Sequence, residues 1–369
     1  MSATMQSLSG QCAGELPPEV VQPIAGSPSG KDFLSINQCE ADDIYGYLEE
    51  AAAAERAVRN PARRGAQVLP PYAVLKAVMR QPSTRTGGSM TTAMHKLGGS
   101  AELISGMGSS SEAKGESLAD SWVAFATQAD IIGTRTAENG GPALAAEAID
   151  RAYRAGKLWQ RVPVINLGDG TNEHPTQTMG DMFTIYRRFK RLDGLTATVV
   201  GDHERYRAHH SFMLAAKKLG MTVIAVESSA APVPHELITE LGDNLQRTDD
   251  LDEAMRYSDV VVLGRNPDEY SGDDAAEQAR SRQLAVDYAV WRIDRKRLQQ
   301  LRPDGMLMHP RPRRDELDPS VDDDPRAADV EQMANMIPMR MAIIAGALGR
   351  SVVQAVYPGN QSPWRLPVL

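Results

Sequence analysis

The sequence has few cysteines and lacks any long apolar run. Only Cys12 and Cys39 occur among its 369 residues, and neither lies in a CxxC or histidine-rich spacing. This pattern excludes a readable zinc site or disulfide framework, and it predicts two free thiols in a reducing cytoplasm. No segment reaches the roughly 18 apolar residues of a membrane span. The N-terminus also lacks the basic start and apolar run of a secretory signal.

An excess of positive charge is absent as well. Lys and Arg number 40 against 48 Asp and Glu, which gives a formal net charge of −8. Because this field repels polyanions, nucleic acid is not expected as a partner, and an anionic substrate needs a local basic cluster. The stretch Gly201-Asp202-His203-Glu204 is not the G-x-G-x-x-G fingerprint of a dinucleotide-binding oxidoreductase. That class of enzyme is therefore excluded.

Short apolar runs alternate with amphipathic segments along most of the chain. Strands are predicted at 73–79, 130–133, 162–167, 196–200, 222–226, 260–263 and 306–308. Helices are predicted at 40–59, 90–97, 141–154, 174–190, 209–219, 249–257, 294–301 and 336–348. The alternation is typical of parallel sheets covered on both faces. The predicted fold class is α/β, with two doubly wound parallel-sheet domains joined by helices, and residues 1–31 are predicted to be a flexible extension.

Polar side chains follow the strands of the first predicted domain, where ligands bind in doubly wound sheets. The segment Ser83-Thr84-Arg85-Thr86 offers hydroxyls, helix-start N–H groups and a guanidinium, which together suit a phosphate. An ordinary capping turn explains it equally well. Arg135 ends a buried strand and needs either an anionic ligand or an internal salt bridge. His174 and Gln177 lie one turn apart and can hydrogen-bond a carbonyl and an amide, although a solvated helix cap is the alternative.

Basic residues also follow the strands of the second predicted domain. Arg207 and Arg265 each come after a strand and can clamp a dicarboxylate, and the polar segment 266–282 is long enough for a lid. The turn 309–313 carries two prolines around Arg311, which fix the direction of its carbonyls. The loop 108–115 can deliver one ammonium group, that of Lys114. A rigid turn and a plain surface loop are the alternatives for these last two segments.

The order of these segments along the chain is more specific than any one of them. The chain resembles the aspartate/ornithine carbamoyltransferase superfamily, and within it the aspartate enzymes, over about residues 32–350. The resemblance is carried by the segments 83–86, 114–120, 174–177, 309–313 and 323–327. It implies a carbamoyl-phosphate-binding domain at 32–174 plus 331–369 and an amino-acid-binding domain at 175–330.

The resemblance also implies a role for each candidate residue. Carbamoyl phosphate would be bound by Ser83, Thr84, Arg85, Thr86, Ser110, Lys114, Arg135, His174, Gln177, Pro310 and Arg311. The catalytic residues among them would be Arg85, Thr86, Lys114, Arg135, His174 and Gln177. The amino-acid acceptor would be bound by Lys114, Arg207, Arg265 and Pro267. Ser110 and Lys114 would reach a neighbouring subunit's site, which implies a cytoplasmic homotrimer with shared active sites and without metal or organic cofactor.

Departures from the family pattern concentrate around the acceptor. Pro267 stands where the aspartate enzymes usually carry Gln, and Arg311 replaces a Leu and adds a charge beside the acceptor pocket. Further departures occur at Gln81, Tyr270, Gly87 and Gly88. The first hypothesis is carbamoylation of L-aspartate in pyrimidine biosynthesis. The alternatives are carbamoylation of a different amine or amino acid in specialised metabolism, and a non-catalytic relative.

The ornithine branch fits the sequence less well. Its members carry His-Cys-Leu-Pro near the last strand, where this chain reads His309-Pro310-Arg311-Pro312. The Ser-Met-Gly loop that binds ornithine is absent too. Nothing in the sequence indicates whether regulatory subunits bind.

Overall fold

The structure is a computed structural model that describes residues 32–59, 68–106, 115–265 and 274–357. It divides into two compact units, Met1–Gly180 with Asn335–Leu369 and Asp181–Ala334. The predicted extension at 1–31 lies outside the described residues. Within the described ranges, no helix is long and apolar enough to cross a membrane. The same ranges contain no group of three or more His, Cys, Asp or Glu that could hold a metal ion.

The first unit is built on a four-stranded parallel sheet in the order β2-β1-β3-β4. Its elements begin with α1 (Ala41–Arg59), β1 (Val74–Met79), α2 (Thr84–Lys96), β2 (Ser100–Ser105), α3 (Leu118–Ala126), β3 (Ile131–Thr136), α4 (Gly141–Arg154) and β4 (Val164–Asp169). Strands β1, β3 and β4 are almost wholly buried, as expected where a parallel sheet is covered on both faces. Strand β2 forms an exposed edge.

The second unit is built on a five-stranded parallel sheet in the order β7-β6-β5-β8-β9. Helix α5 (Pro175–Phe189) contains the boundary from the first unit. The following elements are β5 (Thr196–Gly201), α6 (Arg207–Lys218), β6 (Thr222–Glu227), α7 (His235–Leu241), β7 (Leu245–Thr248), α8 (Leu251–Tyr257), β8 (Val260–Leu263), α9 (Ala275–Val290) and β9 (Met306–Met308). Helix α10 (Asp329–Ala347) contains the boundary back to the first unit, and α11 (Val352–Val356) follows it.

The predicted fold class is confirmed, because each unit is an α/β structure with a wholly parallel sheet. Three local predictions were wrong. The helix predicted from residue 90 begins at Thr84, and the helix predicted at 294–301 is one short 3-10 turn, Arg297–Gln300. Residues 275–282 of the predicted lid belong to α9, whose first turn is capped by the Asp274 carboxylate accepting from the Glu277 N–H.

Candidate active site

The phosphate-binding candidates form the start of α2. Ser83 caps this helix, with its hydroxyl oxygen accepting from the Thr86 N–H at 3.4 Å. Thr84 and Arg85 are exposed, and Thr86 is buried. Because the first N–H groups of a helix have no partner within it, this turn suits an anion. Gly87 belongs to the same turn, where a Cβ would lie 2.6 Å from the Leu103 side chain, so a larger residue would require that side chain to move.

The end of β3 is tied to the segment that leads into this turn. The Arg135 carbonyl accepts from the N–H groups of Arg80 at 2.9 Å and Gln81 at 3.1 Å. Met79 and Arg135 are also register partners across the β1–β3 pair. The half-buried Arg135 side chain is therefore carried by the same edge of the sheet as the anion-binding turn.

His174 and Gln177 follow the neighbouring strand, β4. His174 is 6% exposed, and its carbonyl accepts from the N–H groups of Gln177 at 3.0 Å and Thr178 at 3.2 Å, which starts α5. Its ring Nδ1 lies 3.4 Å from the Thr176 hydroxyl oxygen. With that hydroxyl as donor, Nε2 carries the ring proton and can donate to a carbonyl.

The acceptor candidates in the second unit follow two neighbouring strands, β5 and β8. Arg207 is the first residue of α6 and is buried, and Arg265 is half-buried just after β8. The Tyr288 hydroxyl links the two strand ends, because it accepts from the Asp202 N–H and donates to the Arg265 carbonyl, each at 3.0 Å. Gly201 (φ 136°) makes this link possible, since a Cβ there would lie 2.5 Å from the Tyr288 oxygen.

The turn after β9 carries Pro310 and Arg311. Arg311 has a left-handed backbone, with φ 55°, which is unusual for a residue other than glycine. Its Nε donates to the Asp329 carboxylate at 2.6 Å. The positive charge that the sequence placed beside the acceptor pocket is thus compensated by a neighbouring carboxylate.

Two models of one protein family match the chain. The model of the carbamoyl-P binding domain of aspartate/ornithine carbamoyltransferase matches residues 31–187, and that of the Asp/Orn binding domain matches residues 193–346. The chain belongs to the aspartate/ornithine carbamoyltransferase family. Both matched segments follow the division seen in the fold, with one α/β unit in each.

Individual members of the family are similar over nearly their whole length. The aspartate carbamoyltransferase catalytic subunit of Thermoplasma acidophilum is 32% identical over 321 residues, 86% of this chain and 98% of that protein. The catalytic subunit of Thermococcus gammatolerans is 33% identical over 87% of this chain and 98% of its own length. Aspartate transcarbamoylase from Trypanosoma cruzi, in complex with carbamoyl phosphate and aspartate, is 29% identical and covers 90% of this chain and 99% of its own, with a TM-score of 0.77.

Two buried polar residues that contact the candidate site residues or their neighbours were missed by sequence reasoning. Glu173 is buried beside His174, where its Oε2 accepts from the Ile36 N–H at 3.0 Å and its Oε1 from the Ser35 hydroxyl. Arg340 of α10 is also buried and donates to the Ser89 hydroxyl oxygen, while that hydroxyl donates to the Arg85 carbonyl at 2.5 Å. Their partners are far away in the sequence, so only an acid next to the predicted histidine could have drawn attention to Glu173.

A histidine cluster lies next to the acceptor candidates of this family member. His203 and His209 are buried, with ring centroids 5.0 Å apart. Burial lowers the pKa of His203 to about 3 and the pKa of His209 well below its usual range. Both rings are therefore neutral near pH 7, so the cations of this region come from arginine.

Four residues that the sequence analysis named as site candidates or as departures from the family pattern lie outside the described part of the chain. They are Ser110, Lys114, Pro267 and Tyr270. The remaining candidates divide between the units. Ser83, Thr84, Arg85, Thr86, Arg135, His174 and Gln177 belong to the first unit, and Arg207, Arg265, Pro310 and Arg311 to the second.

Proposed function

We propose that this protein transfers the carbamoyl group of carbamoyl phosphate to the amine of L-aspartate, in pyrimidine biosynthesis. The products are N-carbamoyl-L-aspartate and phosphate. The observation that carries the proposal is the similarity to proteins named aspartate carbamoyltransferase catalytic subunit, at 31–33% identity over 85–87% of this chain. A solved relative with a TM-score of 0.77 holds both carbamoyl phosphate and aspartate.

The first unit binds carbamoyl phosphate in this proposal. The phosphate takes hydrogen bonds from the N–H groups at the start of α2 and from the side chains of Ser83, Thr84, Arg85 and Thr86. Arg135 reaches both the phosphate and the carbonyl oxygen. The buried Arg340 of α10 contacts Ser89 of α2 and so adds a permanent positive charge near this turn.

The transfer step forms one C–N bond and breaks one C–O bond. The acceptor amine attacks the carbonyl carbon, and the tetrahedral intermediate carries a negative oxygen that Arg135, His174 and Thr86 stabilise as donors. Gln177 and the carbonyls of Pro310 and Arg311 hold the carbamoyl amide. The intermediate collapses with release of phosphate, which collects the proton lost by the amine. Lys114 of a neighbouring subunit completes the site.

The second unit binds the acceptor. Arg207 and Arg265 pair with its two carboxylates, and the Tyr288 hydroxyl keeps the ends of β5 and β8 in register for that purpose. A different amine or amino acid remains the second candidate, because Pro267 offers neither the side-chain amide of the usual glutamine nor a backbone N–H. Arg311 argues less strongly for that candidate, since its guanidinium pairs with Asp329.

One ligand tests whether the candidate residues of each unit bind their proposed substrate. N-(phosphonacetyl)-L-aspartate, which is bound in a Trypanosoma cruzi relative, joins a phosphonate to an aspartate. We expect tight calorimetric binding to the unaltered protein, and a loss of at least tenfold in both Arg85→Ala and Arg265→Ala. Retention of full affinity in either variant would contradict the assignment of that arginine.

We also propose a cytoplasmic homotrimer in which Ser110 and Lys114 enter a neighbour's site. The exposed edge strand β2 ends just before the segment that carries both residues, and Leu103 of that strand is 45% exposed. An edge strand with an exposed apolar residue favours contact with another chain.

A further inference from the structure

The turn that carries Pro310 and Arg311 is fixed from within by a buried histidine. His309 is 0% exposed, and its ring Nδ1 accepts from the Arg311 N–H at 2.9 Å. Because a backbone N–H can only donate, Nδ1 carries no proton, and the ring proton of the neutral form lies on Nε2. This Nε2 lies 3.0 Å from the Glu316 Oε1, so it donates there.

Glu316 selects this tautomer of His309. The carboxylate is 4% exposed, and the oxygen that faces the ring also accepts from the Arg314 N–H at 2.8 Å. Burial raises the pKa of Glu316, but the hydrogen bonds from His309 and from the backbone outweigh it, so the pKa is lowered. Glu316 is therefore an acceptor near neutral pH, and an acceptor at Nε2 leaves Nδ1 for the Arg311 N–H.

The same turn is anchored to two helices of the second unit. The His309 N–H donates to the Gln332 Oε1 of α10 at 3.0 Å, and the Gln332 amide donates to Asp181 of α5 at 2.7 Å. The Arg311 side chain pairs with Asp329 of α10. These bonds hold Arg311 in its left-handed conformation, which sets the direction of the carbonyls on either side of it.

We propose that His309 and Glu316 are positioning residues that aim the Pro310 and Arg311 carbonyls at the amide of carbamoyl phosphate. This inference rests on the proposed function. The two carbonyls recognise only the NH₂ group, because a carbonyl oxygen can accept a hydrogen bond from an amide N–H but not from a methyl group. The pair therefore sets the preference for carbamoyl phosphate over acetyl phosphate, which has the same phosphate and carbonyl.

Two matched pairs of variants test this role. His309→Asn places an amide oxygen near Nδ1 and keeps an acceptor for the Arg311 N–H, whereas His309→Gln moves the amide toward Nε2 and loses it. Glu316→Gln keeps a hydrogen-bond acceptor for His309 Nε2, whereas Glu316→Met removes that acceptor and lets the His309 ring adopt either tautomer. The exposed His235→Gln is the control for a histidine substitution in the same unit.

The measurement is the KM for carbamoyl phosphate together with the inhibition constants of acetyl phosphate and inorganic phosphate. We expect His309→Gln and Glu316→Met to raise this KM about five- to tenfold while both inhibition constants stay within twofold. His309→Asn, Glu316→Gln and His235→Gln should stay near the unaltered protein. The positioning role would be overturned if folded His309→Gln and Glu316→Met raised the KM for carbamoyl phosphate and the inhibition constant of acetyl phosphate by the same factor. An unchanged KM for carbamoyl phosphate in both variants would also overturn it. Absence of carbamoyl transfer by the unaltered protein would instead refute the proposed function.

Discussion

The Tyr288 hydroxyl bridges the ends of β5 and β8, the two strands proposed to position the acceptor-binding arginines. Its removal leaves the Asp202 N–H and the Arg265 carbonyl without this partner at a buried position, which costs about 1–3 kcal/mol. Tyr288→Phe should therefore raise the KM for aspartate at least fivefold and leave the KM for carbamoyl phosphate within twofold. Steady-state kinetics with each substrate varied in turn will measure both.

A matched control for this substitution is available in the same unit. Tyr257 is 67% exposed, so Tyr257→Phe removes a hydroxyl without removing a buried bond. It should leave both KM values unchanged. An unchanged KM for aspartate in Tyr288→Phe would show that the bridge does not position Arg265.

Single residues of the site were predictable to very different degrees. Ser83 to Thr86 lie in one short segment and His174 and Gln177 in another, and each segment carries the chemistry expected at a strand end. Tyr288 and Glu316 were not predictable, because each acts through a hydrogen bond to a segment that only the fold brings near. The pairing of Arg311 with Asp329 was hidden for the same reason, since 18 residues separate the two.

Helix α9 is held to the loop after β5 by ion pairs. Arg280 contacts the fully buried Asp202 carboxylate at 2.9 Å, and Arg205 forms two bonds of 2.6 Å to Glu277. Arg280→Met should lower the free energy of unfolding by about 2–3 kcal/mol, less than for a lone buried charge, because Asp202 keeps the Glu204 and Arg205 N–H groups. Denaturant titration measures this loss, and Arg280→Lys should restore part of it.

Helix α6 and the preceding loop make the protein sensitive to acid. Burial depresses the pKa of His203 to about 3 in the folded protein, whereas an unfolded histidine has a pKa near 6.5. Between these values the unfolded chain binds more protons, so the free energy of unfolding decreases as the pH falls through this window. The slope from His203 is at most about 1.4 kcal/mol per pH unit.

The contribution of His203 can be isolated with a substitution that does not titrate. His203→Gln keeps a donor for the Val226 carbonyl, which lies 3.0 Å from the ring Nε2. Urea unfolding at pH 7, 6 and 5 should give a shallower loss of stability for this variant than for the unaltered protein. An identical pH slope would mean that His203 does not stay neutral in the fold.

The elements themselves were predictable where apolar runs are short and bounded. The sequence pattern located β1, β5, β6 and β8 to within two residues, because buried parallel strands consist almost wholly of apolar side chains. It missed β2, whose sequence Ser-Ala-Glu-Leu-Ile-Ser is mostly exposed, and it began α2 late because Gly87 and Gly88 weaken a helical pattern. Tertiary packing overrides local preference at both places.

The proposed sharing of active sites between subunits belongs to the scale of the whole assembly. Arg85→Ala and Lys114→Ala chains should each be almost inactive alone, since each spoils every site of its own trimer. Joint refolding of equal amounts of the two variants should restore activity at about one site in four. These are the sites where one chain supplies an intact Arg85 and its neighbour supplies an intact Lys114. No recovery above the separate variants, in trimers verified by light scattering, would contradict shared sites.

Carbamoyl phosphate and L-aspartate are the substrates proposed for this protein. The most direct test is to incubate the purified protein with ¹³C-labelled carbamoyl phosphate and a panel of amines, following phosphate release and identifying the product by mass. We expect labelled N-carbamoyl-L-aspartate in equal amount to phosphate, with aspartate far ahead of the other acceptors. Turnover of another amine without aspartate turnover would contradict the proposed acceptor, and absence of any carbamoylated product would contradict the transferase itself.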